Sequence, residues 1–268
     1  MKGQSAFGAL PNWDARTRPV SLVILHYTGM QSGEIARARL CDPAPIAGRY
    51  PGPWQSPQIA PDAPLNPVSA HYLVLEDGRV EGLVPEDKRA WHAGVGSWQS
   101  EGALNDRSIG VEIANGGHDF GLPPYLDAQI RAVITLVGQI CARHGLGPSA
   151  VIGHSDVAPM RKADPGEHFP WQRLAEAGLA LWPRIGAREL RGIDPLHAGD
   201  RGAKVEGLQA QLTRFGYGLD DPSGVFEAGT QACVTAFQRR FRPDGVDGIA
   251  DGQTRALLAD LLELEGLN

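Results

Sequence analysis

His154, Lys162 and Asp164 stand within eleven residues of one another, in the stretch IGHSDVAPMRKADPGEHFPW that runs from Ile152 to Trp171. An imidazole, an ammonium and a carboxylate are the groups that hold metals and move protons. Pro159, Pro165 and Gly166 punctuate the stretch, so much of it is expected as loop rather than helix. Loops carried on a rigid scaffold are where catalytic and metal-binding groups concentrate. One imidazole and one carboxylate make half a zinc site, because catalytic zinc takes three protein ligands and keeps a fourth position for water. His26 closes the apolar run PVSLVILH, residues 19–26, which reads as a buried strand ending at the rim of a sheet. With His154 and Asp164 it completes a His-His-Asp set with one open corner. A lone histidine is more often a satisfied structural residue; it is the three together, in strand-end and loop settings, that point to a metal.

Zinc held in this way brings the pKa of its water to about 7. Hydrolysis of an amide still requires a base for that water and a partner for the tetrahedral oxyanion. Glu112, in SIGVEIAN, is the candidate base: Val111 and Ile113 point to the opposite face of the strand, leaving Glu112 towards the cleft. The competing reading is a surface glutamate on an edge strand. Lys162, two residues before Asp164, is the candidate oxyanion partner, against the plainer reading of a solvated loop lysine.

The elements that must position these groups follow from periodicity. Short strands are expected at Ala70–Leu75 and Arg79–Val84, joined by the hairpin signal Glu76-Asp77-Gly78, then at Ser108–Ile113 and Val151-Ile152. A short helix is expected near Ile35–Leu40, a longer one from Leu126 to His144 with Gly145 as its stop, and another from Gln172 to Ala177. Between them, Asp42–Pro67 carries eight prolines and reads as a long ordered loop or insertion, the kind of segment that walls a groove. After Trp182-Pro183 the composition changes. Three helices follow, around Val205–Phe215, Thr230–Phe241 and Thr254–Leu264, introduced by two stretches that rhyme: glycine, small hydrophobe, acidic or small residue, threonine, helix. The expected fold is α/β, a mixed central β-sheet flanked by helices, plus a small C-terminal three-helix bundle. The expected domains are 1–180, a linker 181–196, and 197–268.

A chain of 268 residues suits one large domain and one small one. Its net charge of −6 gives no reason to expect nucleic acid as a partner. No window approaches the roughly 18 apolar residues of a membrane span, and the N-terminus lacks the apolar core of a signal peptide. Cys41, Cys141 and Cys233 are odd in number and widely spaced, so they read as reduced thiols rather than a disulfide framework.

The segments LHYTG, SAHYLV, AWHAG, LNDRSIGVEIAN and GHSDVAPMRKADPG, in this order, resemble the zinc-dependent N-acetylmuramoyl-L-alanine amidases of the AmpD/AmiD type, within the wider fold of the peptidoglycan recognition proteins. The likeness spans roughly residues 18–175. It implies zinc on His26, His154 and Asp164, Glu112 as the catalytic glutamate and Lys162 beside the oxyanion. It also implies cleavage of the amide between the lactyl group of N-acetylmuramic acid and L-alanine of the stem peptide. Asp164, where the recognition proteins usually have cysteine, is similar to the AmpD/AmiD branch. Trp91, His92 and Asn115 are expected to line the groove. His92 has an alternative reading as a stray zinc contact, and His71 is expected as a hydrogen-bonded core histidine. The family often has a basic residue just before the Asn-Asp pair; Ala103 and Leu104 stand there instead, and Arg107 follows. The C-terminal unit resembles the three-helix peptidoglycan-binding domain, through GDRGAKVEGLQAQL, FGYGL, GVFEAGTQACVTAFQRRF and DGIADGQTRALL.

Two functions are therefore expected to compete. One is a zinc amidase acting on muropeptides, either the soluble 1,6-anhydro form in the cytoplasm or intact murein in the periplasm. The absent leader inclines the reading to the cytoplasm. The other is a non-catalytic peptidoglycan-binding or sensing protein, in which Glu112→Ala and Lys162→Ala leave function intact.

Overall fold

Along the chain the elements are β1 (Trp13–Ala15), β2 (Leu22–Tyr27), α1 (Gly33–Cys41), β3 (Tyr72–Val74), β4 (Val80–Gly82), β5 (Lys88–Ala90), α2 (Leu104–Arg107), β6 (Ser108–Ile113), α3 (Asp127–His144), β7 (Val151–Gly153), α4 (His154–Val157), α5 (Trp171–Glu176), α6 (Ala203–Phe215), α7 (Ala228–Phe241) and α8 (Gly252–Leu264). The structure, a computed structural model, describes residues 12–50, 58–185, 193–219 and 222–267. Part of the N-terminal segment read for a leader (1–11), the middle of the proline-rich segment (51–57) and much of the expected linker (186–192) lie outside the described residues. The chain divides into two compact units, residues 1–94 with 105–151, and residues 95–104 with 152–268.

The main sheet has the order β4-β3-β6-β2-β7. β6 runs parallel to both β2 and β3, while β3 and β4 form the antiparallel hairpin expected around Gly78, so the sheet is mixed. β2 is buried from Leu22 to His26 and β6 from Ser108 to Val111, as strands are when both faces of a sheet are covered. α3 packs on β2 and β3, and its fully buried Ile130, Val133, Val137 and Ile140 keep the helical spacing read from the sequence. Truncating a side chain such as Ile140 to alanine costs about 2–5 kcal/mol. On β3, α1 adds a second apolar cluster, with Ala36 and Leu40 beside Leu73, Leu75 and Leu83.

Both ends of α3 are secured. The Leu126 N–H donates to Gln129 Oε1 at 3.1 Å, and Gly145 ends the helix at φ +66°. Arg143 and His144, in the last turn, hold Glu86 at 2.5 and 2.7 Å, and the Tyr72 hydroxyl donates to the same carboxylate at 2.6 Å. Burial pushes the Glu86 carboxyl up, but the hydrogen bonds from Arg143, Tyr72 and His144 outweigh it and bring its pKa to about 2. The two-stranded ribbon of β1 and β5, with Trp13 opposite Ala90, was not expected from the sequence.

In the second unit the three C-terminal helices form where their periodicity places them, around Val205, Leu208, Leu212, Phe215, Phe237, Phe241, Leu258 and Leu261. The rhyme between the two introductory stretches has a hydrogen-bonding basis. Gln209 Nε2 donates to Val225 O and Thr230 Oγ1, each at 2.9 Å, and its Oε1 accepts from Gly224 N–H. Gln238 repeats the pattern on Ile249 O, Thr254 Oγ1 and Gly248 N–H. At the start of the expected linker, Arg184 is bound through its backbone N–H and guanidinium to Asp260 on α8. No helix among the described residues is long and apolar enough to cross a membrane.

Candidate metal centre

His26 is the penultimate residue of β2, which runs one residue further than expected, to Tyr27, and its side chain is buried. Its Nε2 lies 3.0 Å from His92 Nδ1, and His92 Nε2 lies 3.2 Å from Ser108 Oγ. The three side chains thus form a hydrogen-bonded chain that runs from His26 through His92 to Ser108. The His92 and Ala93 N–H groups donate to Asn105 Oδ1 at 3.1 and 2.7 Å, fixing the backbone that carries the ring. Gly110 makes room for it, because a Cβ there would meet His92 Cγ at 2.4 Å.

His71 lies behind this pair as a core residue. Its Nδ1 accepts from the Gly110 N–H at 2.9 Å, and its Nε2 is 3.1 Å from Lys88 O. Burial is the largest influence on it and brings its pKa down to about 3, so the ring is neutral.

Glu112 does not lie on an edge strand. β6 is flanked by β3 and β2, and Glu112 is register partner to both His26 and Leu73. The competing reading of an edge-strand surface glutamate is thereby corrected. Parallel pairing with β2 on one side and β3 on the other takes the strand inside the sheet.

His154 is the first residue of α4, so the chain turns into one helical turn where loop was expected. Its Nδ1 lies 2.9 Å from Asp164 Oδ2, and the Ser155 N–H donates to Asp164 O at 2.9 Å. Between the two, the Arg161 and Lys162 N–H groups both donate to Ala158 O at 3.0 Å, which closes the intervening turn and leaves Lys162 half-buried. His26, His154 and Asp164 each offer one ligand atom, and these atoms all lie within 4.8 Å of one another, on buried side chains. Two imidazoles and one carboxylate gathered this closely fit the donor chemistry of a catalytic zinc site.

The other expected groove residues are tied into the framework. Trp91 donates its N–H to Ser69 Oγ at 2.8 Å. The Asn115 amide is engaged at both ends, donating to Pro123 O at 2.9 Å and accepting from the Gly117 N–H at 2.8 Å. Arg107 is buried and donates to Ser21 Oγ. A separate groove of about 670 Å³ is lined by Phe169, Trp171, Trp182, Phe241 and Arg242 among others, and by none of the residues named above for the metal. Sequence reasoning missed Ser108 and Asn105, which meet their partners across turns of 12–16 residues, and Asp156, whose side-chain donors lie 61 and 84 residues away.

Residues 16–167 match the family model described as N-acetylmuramoyl-L-alanine amidase, and residues 201–258 match a peptidoglycan binding domain model. The chain is 38% identical over 214 residues to N-acetylmuramoyl-L-alanine amidase AmiD of Escherichia coli strain K12, covering 74% of this chain and 75% of that protein. Over 138 residues it is 40% identical to 1,6-anhydro-N-acetylmuramyl-L-alanine amidase AmpD of Enterobacter cloacae, covering 47% and 72%. Among solved structures it is similar to the complex of E. coli AmiD with anhydro-N-acetylmuramic acid-L-Ala-D-gamma-Glu-L-Lys, with a TM-score of 0.72, 31% identity and coverage of 100% and 94%. Similarity to AmpDh3 of Pseudomonas aeruginosa in complex with anhydromuramic pentapeptide gives a TM-score of 0.72 at 30% identity, covering 99% and 98%.

Proposed function

The chain belongs to the N-acetylmuramoyl-L-alanine amidase family, and from that premise we propose how its own residues carry the reaction. The protein hydrolyses the amide that joins the lactyl group of N-acetylmuramic acid to L-alanine of the stem peptide. Its substrate is the 1,6-anhydro muropeptide, a reading supported by the similarity to the AmiD and AmpDh3 complexes that hold such molecules. The observation that carries the mechanism is the gathering of His26, His154 and Asp164 within 4.8 Å, with Glu112 in register beside His26.

In this reading His26, His154 and Asp164 hold a zinc ion. When bound, zinc supplies Lewis-acid polarisation and acidifies water towards a pKa of about 7. Glu112 takes the proton of the attacking water as its oxygen adds to the lactyl carbonyl. The Lys162 ammonium faces the charge that builds on the carbonyl oxygen. As the C–N bond breaks, Glu112 returns its proton to the departing L-alanine nitrogen, leaving a lactyl carboxylic acid and an amine, and the acid then ionises with its proton passing to the amine. His92, held by Ser108, keeps the His26 ring turned towards the centre. Trp91 and Asn115 shape the groove wall beside it. Residues 1–180 form the catalytic part, and residues 197–268 contact glycan or stem peptide.

The test is release of free stem peptide from purified anhydro-muropeptide, with and without a chelator, followed by zinc restoration. Zinc-dependent release supports the reading, and no zinc-dependent product overturns it. The same assay on purified sacculi tests the substrate form, since faster release from intact murein would displace the anhydro reading. Cell fractionation tests the cytoplasmic expectation: activity in the envelope fraction would overturn it.

A further inference from the structure

Asp156 is the third residue of α4, two positions after His154, and its side chain is 1% exposed. Three donors converge on its carboxylate. The Gly153 N–H donates to Oδ2 at 2.8 Å and closes the turn on itself. The Tyr217 hydroxyl donates to Oδ1 at 2.8 Å, and Arg240 Nη1 donates to Oδ2 at 3.0 Å. Tyr217 follows α6 and Arg240 lies in α7, so two of the three donors come from the segment that matches the peptidoglycan binding domain model.

Both donors are themselves fixed. The Arg240 guanidinium carbon lies 4.4 Å from the Trp171 ring centroid and 4.8 Å from that of Phe241. Tyr217 meets Trp98 edge to face at 5.3 Å, and the backbone beside Trp98 reaches both sides, with Ser97 N–H donating to Val157 O and Gln99 N–H to Gly216 O. A buried ion pair is costly to desolvate and gives little net stability compared with apolar packing of the same volume. Three directional hydrogen bonds do, however, fix where a carboxylate sits.

We propose that Tyr217 and Arg240 are positioning residues for the metal centre: they hold Asp156, Asp156 holds the α4 turn, and the turn sets the direction of the His154 imidazole. The C-terminal helices thus act in catalysis as well as in wall contact. The inference rests on the reading of His26, His154 and Asp164 as zinc ligands.

The full chain is compared as wild type, Tyr217→Phe, Arg240→Met and Arg240→Lys, by zinc affinity against a chromophoric chelator, the visible spectrum of the Co²⁺-loaded protein, and kcat and KM. Outer-shell partners of metal ligands typically change affinity or activity about 10–100-fold. Arg240→Met is expected to weaken zinc about tenfold, alter the Co²⁺ spectrum and lower kcat with KM little changed. Arg240→Lys should recover part of each, and Tyr217→Phe should shift them the same way by less. Phe237→Leu, a core change in the same helices, should lower Tm while leaving affinity and spectrum alone. Should Arg240→Met fail to fold, Tyr217→Phe, which removes a single hydroxyl, carries the test. Folded variants with wild-type zinc affinity and Co²⁺ spectrum overturn the proposal alone. A wild type that binds no zinc overturns the metal reading, and this inference with it.

Discussion

Glu112 stands directly across from His26 in the parallel register of β6 and β2. Paired residues on neighbouring parallel strands put their side chains on one face, about 4.8 Å apart along the hydrogen-bonding direction. The backbone ladder thereby sets the spacing between the proposed base and the proposed ligand, and a slip of one residue would send one of them to the opposite face. Glu112→Gln keeps shape and loses the base, so kcat should fall about 10²–10⁴-fold with zinc content unchanged. Metal analysis beside the rate decides it, since a variant that loses its zinc would make Glu112 a ligand instead.

Asp164 is the sole carboxylate in the three-residue set. Asp164→Ala leaves two imidazoles, and zinc affinity should fall by more than the roughly 100-fold upper range typical of residues behind the ligands. Equilibrium dialysis reads this directly, and full retention of one zinc per chain would remove Asp164 from the centre.

His92 is expected to matter through His26. His92→Ala should weaken zinc binding about 10–100-fold, and Ser108→Ala should act in the same direction by less. Unchanged affinity in both variants would show that the His26–His92–Ser108 chain does not orient the ligand.

Lys162→Ala should lower kcat about 10²–10³-fold, as loss of a donor to an oxyanion does, with zinc content and Tm near those of the wild type. A lysine that is only solvated would leave kcat within twofold or so.

The fold should weaken in acid earlier than carboxylates alone would dictate. His71 is neutral in the folded protein, with its pKa pushed down to about 3 by burial, whereas the unfolded chain takes up that proton near 6.5. Its contribution is complete above about 6.5 and is lost as pH falls towards 3, at up to about 1.4 kcal/mol per pH unit. Glu86, held near 2, contributes fully above about 4.5 and loses that contribution as pH falls towards 2. Urea midpoints should decline from pH 6.5 to 4.5 while the His71 ring signals of the folded protein stay untitrated. A flat midpoint across that range, or a His71 titration near 6, would sink the account.

What was legible in the chain followed locality. α3 and the three C-terminal helices carry their evidence in spacing over a dozen residues, and His154, Lys162 and Asp164 sit on one short segment. The rhyme of glycine and threonine was readable, but Gln209 and Gln238 stand outside it, each bridging one turn to the threonine of the next helix. The three-residue strands β1 and β5 have no pattern of their own and exist through pairing of Trp13 with Ala90. The interior place of Glu112 depends on β3, far back along the chain. Asp156 carries no local signal, because its two side-chain donors lie 61 and 84 residues away.

The Asp156 clamp also bears on how such a protein can be recombined. Exchange of residues 201–258 here for an unrelated anchor would strip Asp156 of its Tyr217 and Arg240 donors, leaving a buried carboxylate with only the Gly153 N–H of the three described above. A charge stranded in this way costs several kcal/mol. A chimera would therefore need Asp156 changed with the anchor, and the two halves of this chain are expected to be inherited as one part.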